Sequence, residues 1–319
     1  MNQFEQNQYY NFEFQMEQNR KRQKKILSDT GLALFIMAVA ILVSQVIFQI
    51  IIKLIDPEIF NKDWYGWAMT ALCVVGVGLP VFYAAIGRVP KSESREVNSI
   101  SVIQFIGIFF VCTGSMYLAN FIGILLSIPF IFLRGGELIN PVADAVLGSN
   151  FIITFIYGSF VAPFVEEIIF RKLLLDRLRR FGDLAAILLS GIAFGLFHMN
   201  LLQFLYASVL GFIFAYVTLK TNTIRYSIIL HVLINMIGTV VAPLLLKSGD
   251  NFIYILPMIL WIMTSITIGS LVFALNIGKV KFNKGTEMVT QKSIYFTNLG
   301  TLLFAVLCLA MIFITLLFG

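Results

Sequence analysis

Nine apolar runs dominate the amino-acid sequence, and they constrain its fold more than any other feature. A hydrocarbon core of ~30 Å is crossed by about 20 helical residues. The runs cover residues 31–54, 65–86, 100–133, 150–171, 184–199, 201–219, 227–246, 252–277 and 294–318. With 59% hydrophobic and 13% charged residues, the chain also lies far outside the composition of soluble domains. The sequence therefore predicts an all-α, polytopic transmembrane helix bundle of about nine spans, with the lipid bilayer as its surroundings.

The basic residues predict how this bundle is oriented. When the spans alternate from a cytoplasmic N-terminus, 19 of the 23 lysines and arginines fall on one side. They lie in segments 20–25, 88–95, 171–180, 220–225 and 279–292. Cytoplasmic loops carry such an excess of basic residues, so we predict that the N-terminus is cytoplasmic. Because membrane orientation accounts for the net charge of +6, we expect no nucleic-acid partner.

Composition divides the chain into four parts. Residues 1–27 are polar and end in a basic cluster, which is typical of a mobile cytoplasmic tail, and they lack the features of a secretory signal peptide. Residues 28–149 contain the N-terminal spans. Residues 150–245 form a core in which polar side chains interrupt the apolar runs. Residues 246–319 contain the last two spans.

A charged hexapeptide, residues 166–171, lies at the end of the fourth apolar run. Ionised groups at membrane depth are costly and usually mark function. Glu167 and Arg171 are four residues apart with the acid first, so we predict that they form a pair on one helix face. Glu166 points about 100° away from Glu167. It therefore needs water or a partner on another helix.

Two further spans carry polar residues at helical spacing. Phe194 and His198 are four residues apart on the fifth span, and His231 and Asn235 are four apart on the seventh. Polar side chains inside a bundle need partners, so we predict that they meet the glutamates in a cavity open to the cytoplasm. A carboxylate and a histidine that share one water suit general-base hydrolysis. A histidine and an asparagine one turn apart can donate to an oxyanion.

Three motifs in this order resemble those of the CAAX protease and bacteriocin-processing enzymes, the CPBP or Abi-type family of intramembrane proteases. The family signature is Glu-Glu-x-x-x-Arg, then Phe-x-x-x-His, then His-x-x-x-Asn. In this sequence the motifs are Glu166-Glu167 to Arg171, Phe194 to His198, and His231 to Asn235. The resemblance covers about residues 155–242. Lys172 and Asn222 stand where glycine is common in the family.

The resemblance implies a CAAX-type intramembrane endopeptidase that hydrolyses a peptide bond of a membrane-associated peptide or protein. By carry-over, Glu166 and His198 would activate water, His231 and Asn235 would hold the oxyanion, and Glu167 with Arg171 would brace the site. The family label of metalloprotease raises zinc as a cofactor, and the residues leave open whether a metal is used. The family also implies a multi-pass membrane location, which in a bacterium is the plasma membrane.

Two other functions stay open at the level of sequence. A noncatalytic scaffold or bacteriocin-immunity protein of the same fold would keep the same residues. A proton-coupled transporter could use the glutamates and histidines as a relay, and would be expected to contain internal repeats. The sequence contains no convincing repeat, which favours the peptidase over the transporter.

Overall fold

The structure, a computed structural model, describes residues 3–92, 95–133, 135–136, 141–241, 243–244, 252–287, 289 and 291–318. These residues are predominantly helical and contain no strand. The main helices are α1 Gln3–Ile55, α2 Tyr65–Ile86, α3 Val102–Leu133, α4 Pro141–Gly148, α5 Phe151–Phe181, α6 Asp183–Phe197, α7 Leu201–Thr221, α8 Arg225–Val241, α9 Phe252–Asn276 and α10 Leu299–Phe318. The prediction of an all-α bundle is confirmed.

Seven helices in the described part of the chain are long and apolar enough to cross a membrane, which makes the protein an integral, multi-pass membrane protein. The predicted run 65–86 coincides with α2, and each other predicted run lies at least partly on a helix. The predicted end of the seventh run, residue 246, lies outside the described residues. Helices α6 and α8 are apolar but shorter, and the 15 residues of α6 extend only about 22 Å. His231 lies on α8, and His198 directly follows α6 as its C-terminal cap.

The polar N-terminal segment differs from its prediction as a mobile tail. Residues 3–27 form the first part of α1 and continue without a break into the first apolar run. No glycine or proline occurs in this segment, and its glutamines, glutamates, lysines and arginines are good helix formers. Most of its side chains are exposed, so the segment extends the first helix beyond the apolar bundle.

Small residues hold α6 against α7. A Cβ atom added at Gly195 would lie 2.5 Å from the carbonyl oxygen of Phe204, and one added at Gly211 would lie 2.8 Å from the Cα of Gly191. Such glycines let two helix backbones approach closely in a membrane, where packing rather than hydrophobic burial drives association. The close α6–α7 pair then holds α6 beside the helices that carry the other polar residues.

Ion pairs and hydrogen bonds bring several basic segments to one end of the bundle. Glu287 pairs with Arg22 at 3.3 Å and with Arg180 at 3.3 Å. Arg180 also donates to the carbonyl of Pro90 at 2.6 Å. These contacts join residues from four of the five basic segments that were predicted to share one side, namely 20–25, 88–95, 171–180 and 279–292. We call the end of the bundle where these segments meet the basic end. Which side of the membrane it faces stays a prediction.

The fifth basic segment joins the same end through Asn222, which follows α7. Its backbone has φ of 53°, a left-handed conformation that asparagine tolerates better than most residues. Its side chain accepts from Arg179 at 2.8 Å and donates to the carbonyl of Glu96 at 2.7 Å. Asparagine can therefore replace the glycine expected here while linking α5, α7 and the segment before α3.

Candidate active site

Helix α5 changes its winding on both sides of the glutamate pair. Thr154–Val161 and Ile168–Leu174 have π-helical hydrogen bonding, while Ala162–Glu167 between them is α-helical. Short π-helical stretches inside α-helices are frequent at functional sites. Pro163 lies at the start of the α-helical stretch, where its ring removes one backbone donor. The two glutamates thus lie between two irregular turns.

The predicted pair between Glu167 and Arg171 is confirmed. Glu167 Oε2 lies 3.4 Å from Arg171 Nε, and both side chains are fully buried. The guanidinium carbon also lies 4.4 Å from the ring centroid of Phe194 and 5.4 Å from that of Phe214. Neither terminal nitrogen of Arg171 has a hydrogen-bond partner in the described part of the chain. One carboxylate and the faces of aromatic rings therefore stabilise this buried cation.

His231 of α8 lies between the two glutamates. Its Nδ1 is 3.1 Å from Glu167 Oε1, and its Nε2 is 3.5 Å from Glu166 Oε2. Glu166 thus has its partner on another helix, as its direction on α5 predicts. A neutral imidazole donates from only one nitrogen. The two contacts are satisfied together when the imidazole is protonated or when the Glu166 carboxyl group carries the proton.

The two glutamates differ in exposure. The side chain of Glu166 is 15% exposed, whereas that of Glu167 is fully buried. Glu167 is committed to Arg171 through one oxygen and to His231 through the other. Glu166 is therefore the carboxylate that a water molecule can reach.

His198 lies at the C-terminal end of α6, and its backbone N–H donates to the carbonyl of Gly195 at 3.2 Å. Its ring meets Phe194 edge-on at a centroid distance of 5.0 Å, and the ring of His231 meets Phe194 at 5.7 Å. No direct hydrogen bond joins His198 to Glu166 in the described part of the chain. That these two residues share one water molecule stays a prediction.

Phe194 contributes more than its place in the motif indicates. Its ring contacts Arg171, His198 and His231, so it joins all three helices of the site. Sequence reasoning recognised it only by its spacing from His198. This role could have been predicted from the sequence, because Phe194 lies one helical turn before a histidine and the chain contains an arginine within an apolar run that an aromatic ring can stabilise.

Asn235 lies one turn after His231 on α8, and its Nδ2 donates to the carbonyl of Gly158 at 2.8 Å. The structure thus brings Asn235 to α5 through a backbone carbonyl rather than through either glutamate. Gly158 carried no signal in the sequence, because a glycine in an apolar run has many structural explanations. One hydrogen of the Asn235 amide is used by this contact, and an amide group has two.

The side chains of the site do not fit a zinc centre. The described residues contain no group of three or more His, Cys, Asp or Glu side chains placed to hold a metal ion. Both ring nitrogens of His231 face carboxylates. A catalytic zinc ion needs three protein ligands that converge on one point. The described side chains of the site therefore do not form such a ligand set.

A family model described as type II CAAX prenyl endopeptidase Rce1-like matches residues 148–237. Residues 148–237 are therefore similar to the core of the CAAX-protease family. This interval contains all six predicted site residues: Glu166, Glu167, Arg171, His198, His231 and Asn235. The matched interval thus coincides with α5 to α8 and the polar cluster that they enclose.

A curated relative extends the similarity beyond this core. YdiL of Bacillus subtilis (strain 168), described as a candidate membrane peptidase, is 28% identical over 180 residues, or 55% of this chain and 70% of YdiL. No solved structure matches the chain at a significant level. Together the two matches support a membrane peptidase as the kind of protein.

Proposed function

We propose that the protein is an intramembrane endopeptidase that hydrolyses a peptide bond of a membrane-associated peptide or protein. The observation that carries this proposal is the buried series Glu166, His231, Glu167 and Arg171, in which each side chain contacts the next. Buried ionisable groups in a membrane bundle are costly to maintain, so such a series favours a chemical role over packing. Only the first member, Glu166, is partly exposed.

Glu166 acts as the general base in this mechanism. A water molecule beside its exposed carboxylate gives up a proton as the oxygen attacks the carbonyl carbon of the scissile bond. His231 Nε2, at 3.5 Å, stabilises the carboxylate before the transfer. The same proton is then available for the leaving amine, because the base that accepts it in the first step is the acid of the second.

His198 has a supporting role on the water. Its ring is fixed against Phe194, as is the ring of His231, so the two imidazoles are held on one aromatic side chain. We assign His198 to the orientation and polarisation of the attacking water. The oxyanion is assigned to His231 on α8, whose Nε2–H is available to donate once the Glu166 carboxyl group holds the proton.

Glu167 and Arg171 do not contact the substrate in this mechanism. Their ion pair is fully buried, and Glu167 Oε1 holds Nδ1 of His231 at 3.1 Å. A carboxylate on one nitrogen of an imidazole fixes the orientation of the ring. The pair therefore positions His231 for its contact with Glu166.

The experiment compares membrane and secreted peptides by mass spectrometry from cells that carry the intact protein or Glu166→Gln. Glu58→Gln, which changes an exposed glutamate outside the apolar spans, is the matched control. Peptides with new termini should appear with the intact protein and with the control, and be absent with Glu166→Gln. Identical peptide sets from all three would contradict the peptidase and favour a noncatalytic scaffold or immunity protein. Synthetic prenylated and unprenylated peptides, suggested by the family description, then test the substrate class in purified protein.

A further inference from the structure

One carbonyl group of α5 lacks a donor in its own helix. The N–H of Ala162 donates to the carbonyl of Tyr157, five residues earlier. In this register the carbonyl of Gly158 would receive the N–H of residue 163. That residue is Pro163, which has no N–H. Gly158, which is buried, therefore needs a donor from outside α5.

Asn235 of α8 supplies this donor. Its Nδ2 lies 2.8 Å from the carbonyl oxygen of Gly158. In an apolar bundle no water competes for such a carbonyl, and polar side chains of neighbouring helices satisfy backbone groups that proline leaves free. The amide of Asn235 thus completes the hydrogen bonding of the turn that leads to Glu166.

A second contact lies beside the first. Ser159 Oγ is 2.7 Å from Thr239 Oγ1, which is itself 2.8 Å from the carbonyl of Asn235. Because Thr239 donates its single hydrogen to that carbonyl, Ser159 is the donor between the two hydroxyls. A Cβ atom at Gly158 would lie 3.0 Å from Thr239 Cγ2, so the glycine permits this close approach. We call the contacts Gly158–Asn235 and Ser159–Thr239 the α5–α8 latch.

We propose that Asn235 is a positioning residue for peptide hydrolysis, which through the α5–α8 latch holds α8 in register on α5 so that His231 lies between Glu166 and Glu167. The proposal rests on the proposed function. Asn235 is one turn from His231 on α8, and Pro163 is three residues before Glu166 on α5. A shift between these two helices would move His231 away from both carboxylates together. This role differs from direct donation to the oxyanion.

A double-mutant cycle on Pro163 and Asn235 separates the two roles. In Pro163→Ala, residue 163 gains an N–H that can donate to the carbonyl of Gly158. If the turn becomes α-helical instead, the N–H of Ala162 donates to the same carbonyl, so in either case Gly158 has a donor within α5. Asn235→Ala alone should lower kcat by about 10²-fold, the effect of a small misplacement at an active site, with little change in KM. In the Pro163→Ala background the Gly158 carbonyl is already occupied, so the latch bond is lost before Asn235 is changed, and adding Asn235→Ala should lower kcat much less than it does in the native background. A further loss of about 10²-fold when Asn235→Ala is added to Pro163→Ala would overturn the positioning role and leave Asn235 as a direct donor.

Thermal unfolding of the same four proteins in detergent gives a readout that does not depend on cleavage. Asn235→Ala should lower Tm, and it should lower Tm much less when Pro163 is alanine. Equal losses of Tm in both backgrounds would contradict the latch. If the intact protein cleaves nothing, the proposed function fails, while the coupling in Tm still decides whether the latch exists.

If Pro163→Ala or Asn235→Ala does not accumulate as folded protein, the second contact carries the test. Thr239→Val removes the hydroxyl that Ser159 and Asn235 share and keeps the size of the side chain. Thr30→Val is the matched control, because the Thr30 hydroxyl donates only to the carbonyl of Ile26 within α1, at 2.7 Å. Thr239→Val should lower kcat at nearly constant KM, and Thr30→Val should not. An unchanged kcat in Thr239→Val would overturn the proposal.

Discussion

The imidazole of His231 lies 3.1 Å from the fully buried carboxylate of Glu167, which fixes one ring nitrogen and turns the other towards Glu166. Glu166 and Glu167 therefore have different surroundings, although they are identical neighbours in the sequence. Glu167 is held by a cation on its own helix and by a ring on α8. Among the described residues, Glu166 contacts the same histidine ring but forms no ion pair with Arg171, and its side chain is partly exposed.

This difference predicts that Glu167→Gln lowers stability, whereas Glu166→Gln lowers activity. Glu167→Gln leaves the buried Arg171 without its carboxylate, so it should lower the free energy of unfolding by about 3–5 kcal/mol. Arg171→Gln should do likewise, because it leaves Glu167 charged and buried. Glu166→Gln should keep the protein folded and abolish cleavage. Denaturant unfolding in detergent and a cleavage assay on the same preparations check this, and equal losses of stability for Glu166→Gln and Glu167→Gln would contradict it.

Phe194 provides a second prediction, because its ring contacts a cation and both histidines. Phe194→Leu should lower kcat by at least about tenfold, since both imidazoles lose the surface that orients them. Phe82→Leu is the control, because Phe82 is equally buried but lies on α2. Both variants should lose similar stability from the reduced burial. A parallel loss of kcat in Phe82→Leu would show that Phe194 acts only through packing.

The close contact of α6 with α7 leads to a third prediction. Gly195→Ala places a methyl group against the carbonyl oxygen of Phe204. This oxygen belongs to the helix backbone, so it cannot move aside as the end of a flexible side chain can. We expect a loss of about 1–3 kcal/mol in stability, typical of overpacking, together with reduced activity because His198 follows on the same helix. Gly66→Ala is the control, because an added Cβ there meets nothing within 4 Å. Thermal melts of both variants test this, and equal Tm values for the two would refute it.

Much of the fold was predictable because apolar composition alone identifies long membrane helices. The bounds of α2 agree with the predicted run at both ends. Composition does not report depth, so α8 looked like an ordinary span, whereas the run 184–199, which covers most of α6, was already short for one. The helical state of residues 3–27 did not follow from hydrophobicity, which is low there, but it agrees with the many glutamine, glutamate, lysine and arginine residues of the segment.

The site was predictable as a set of residues but not as a set of contacts. Spacing alone identified the pair Glu167 and Arg171, since both lie on one helix. The contact between Glu166 and His231 depends on how α8 packs on α5, and no local pattern reports that. The link from Asn235 to Gly158 depends further on the π-helical register before Pro163, which the periodicity of an apolar run does not disclose.

The orientation of the bundle needs labelling sites that are exposed at each end. Lys284 lies in the exposed loop of the basic end, close to Glu287. Lys62 is exposed beside Asp63, whose carbonyl accepts from the N–H of Asn150 just before α5 begins. Asp183, whose carboxylate accepts from the backbone N–H of Asn283 at the basic end, is buried and therefore unsuitable for labelling.

We predict that a cysteine at position 62 faces the outside of the cell and one at position 284 faces the cytoplasm, since the basic end carries the positive-inside excess. Each is introduced singly as Lys62→Cys or Lys284→Cys after Cys73, Cys112 and Cys308 have been replaced; all three native thiols are buried. A membrane-impermeant thiol reagent should label Lys62→Cys in intact cells, and Lys284→Cys only after permeabilisation. The reverse pattern would invert the bundle, and with it the side of the membrane from which a substrate reaches Glu166. Labelling of both in intact cells would contradict the placement of these two lysines at opposite ends.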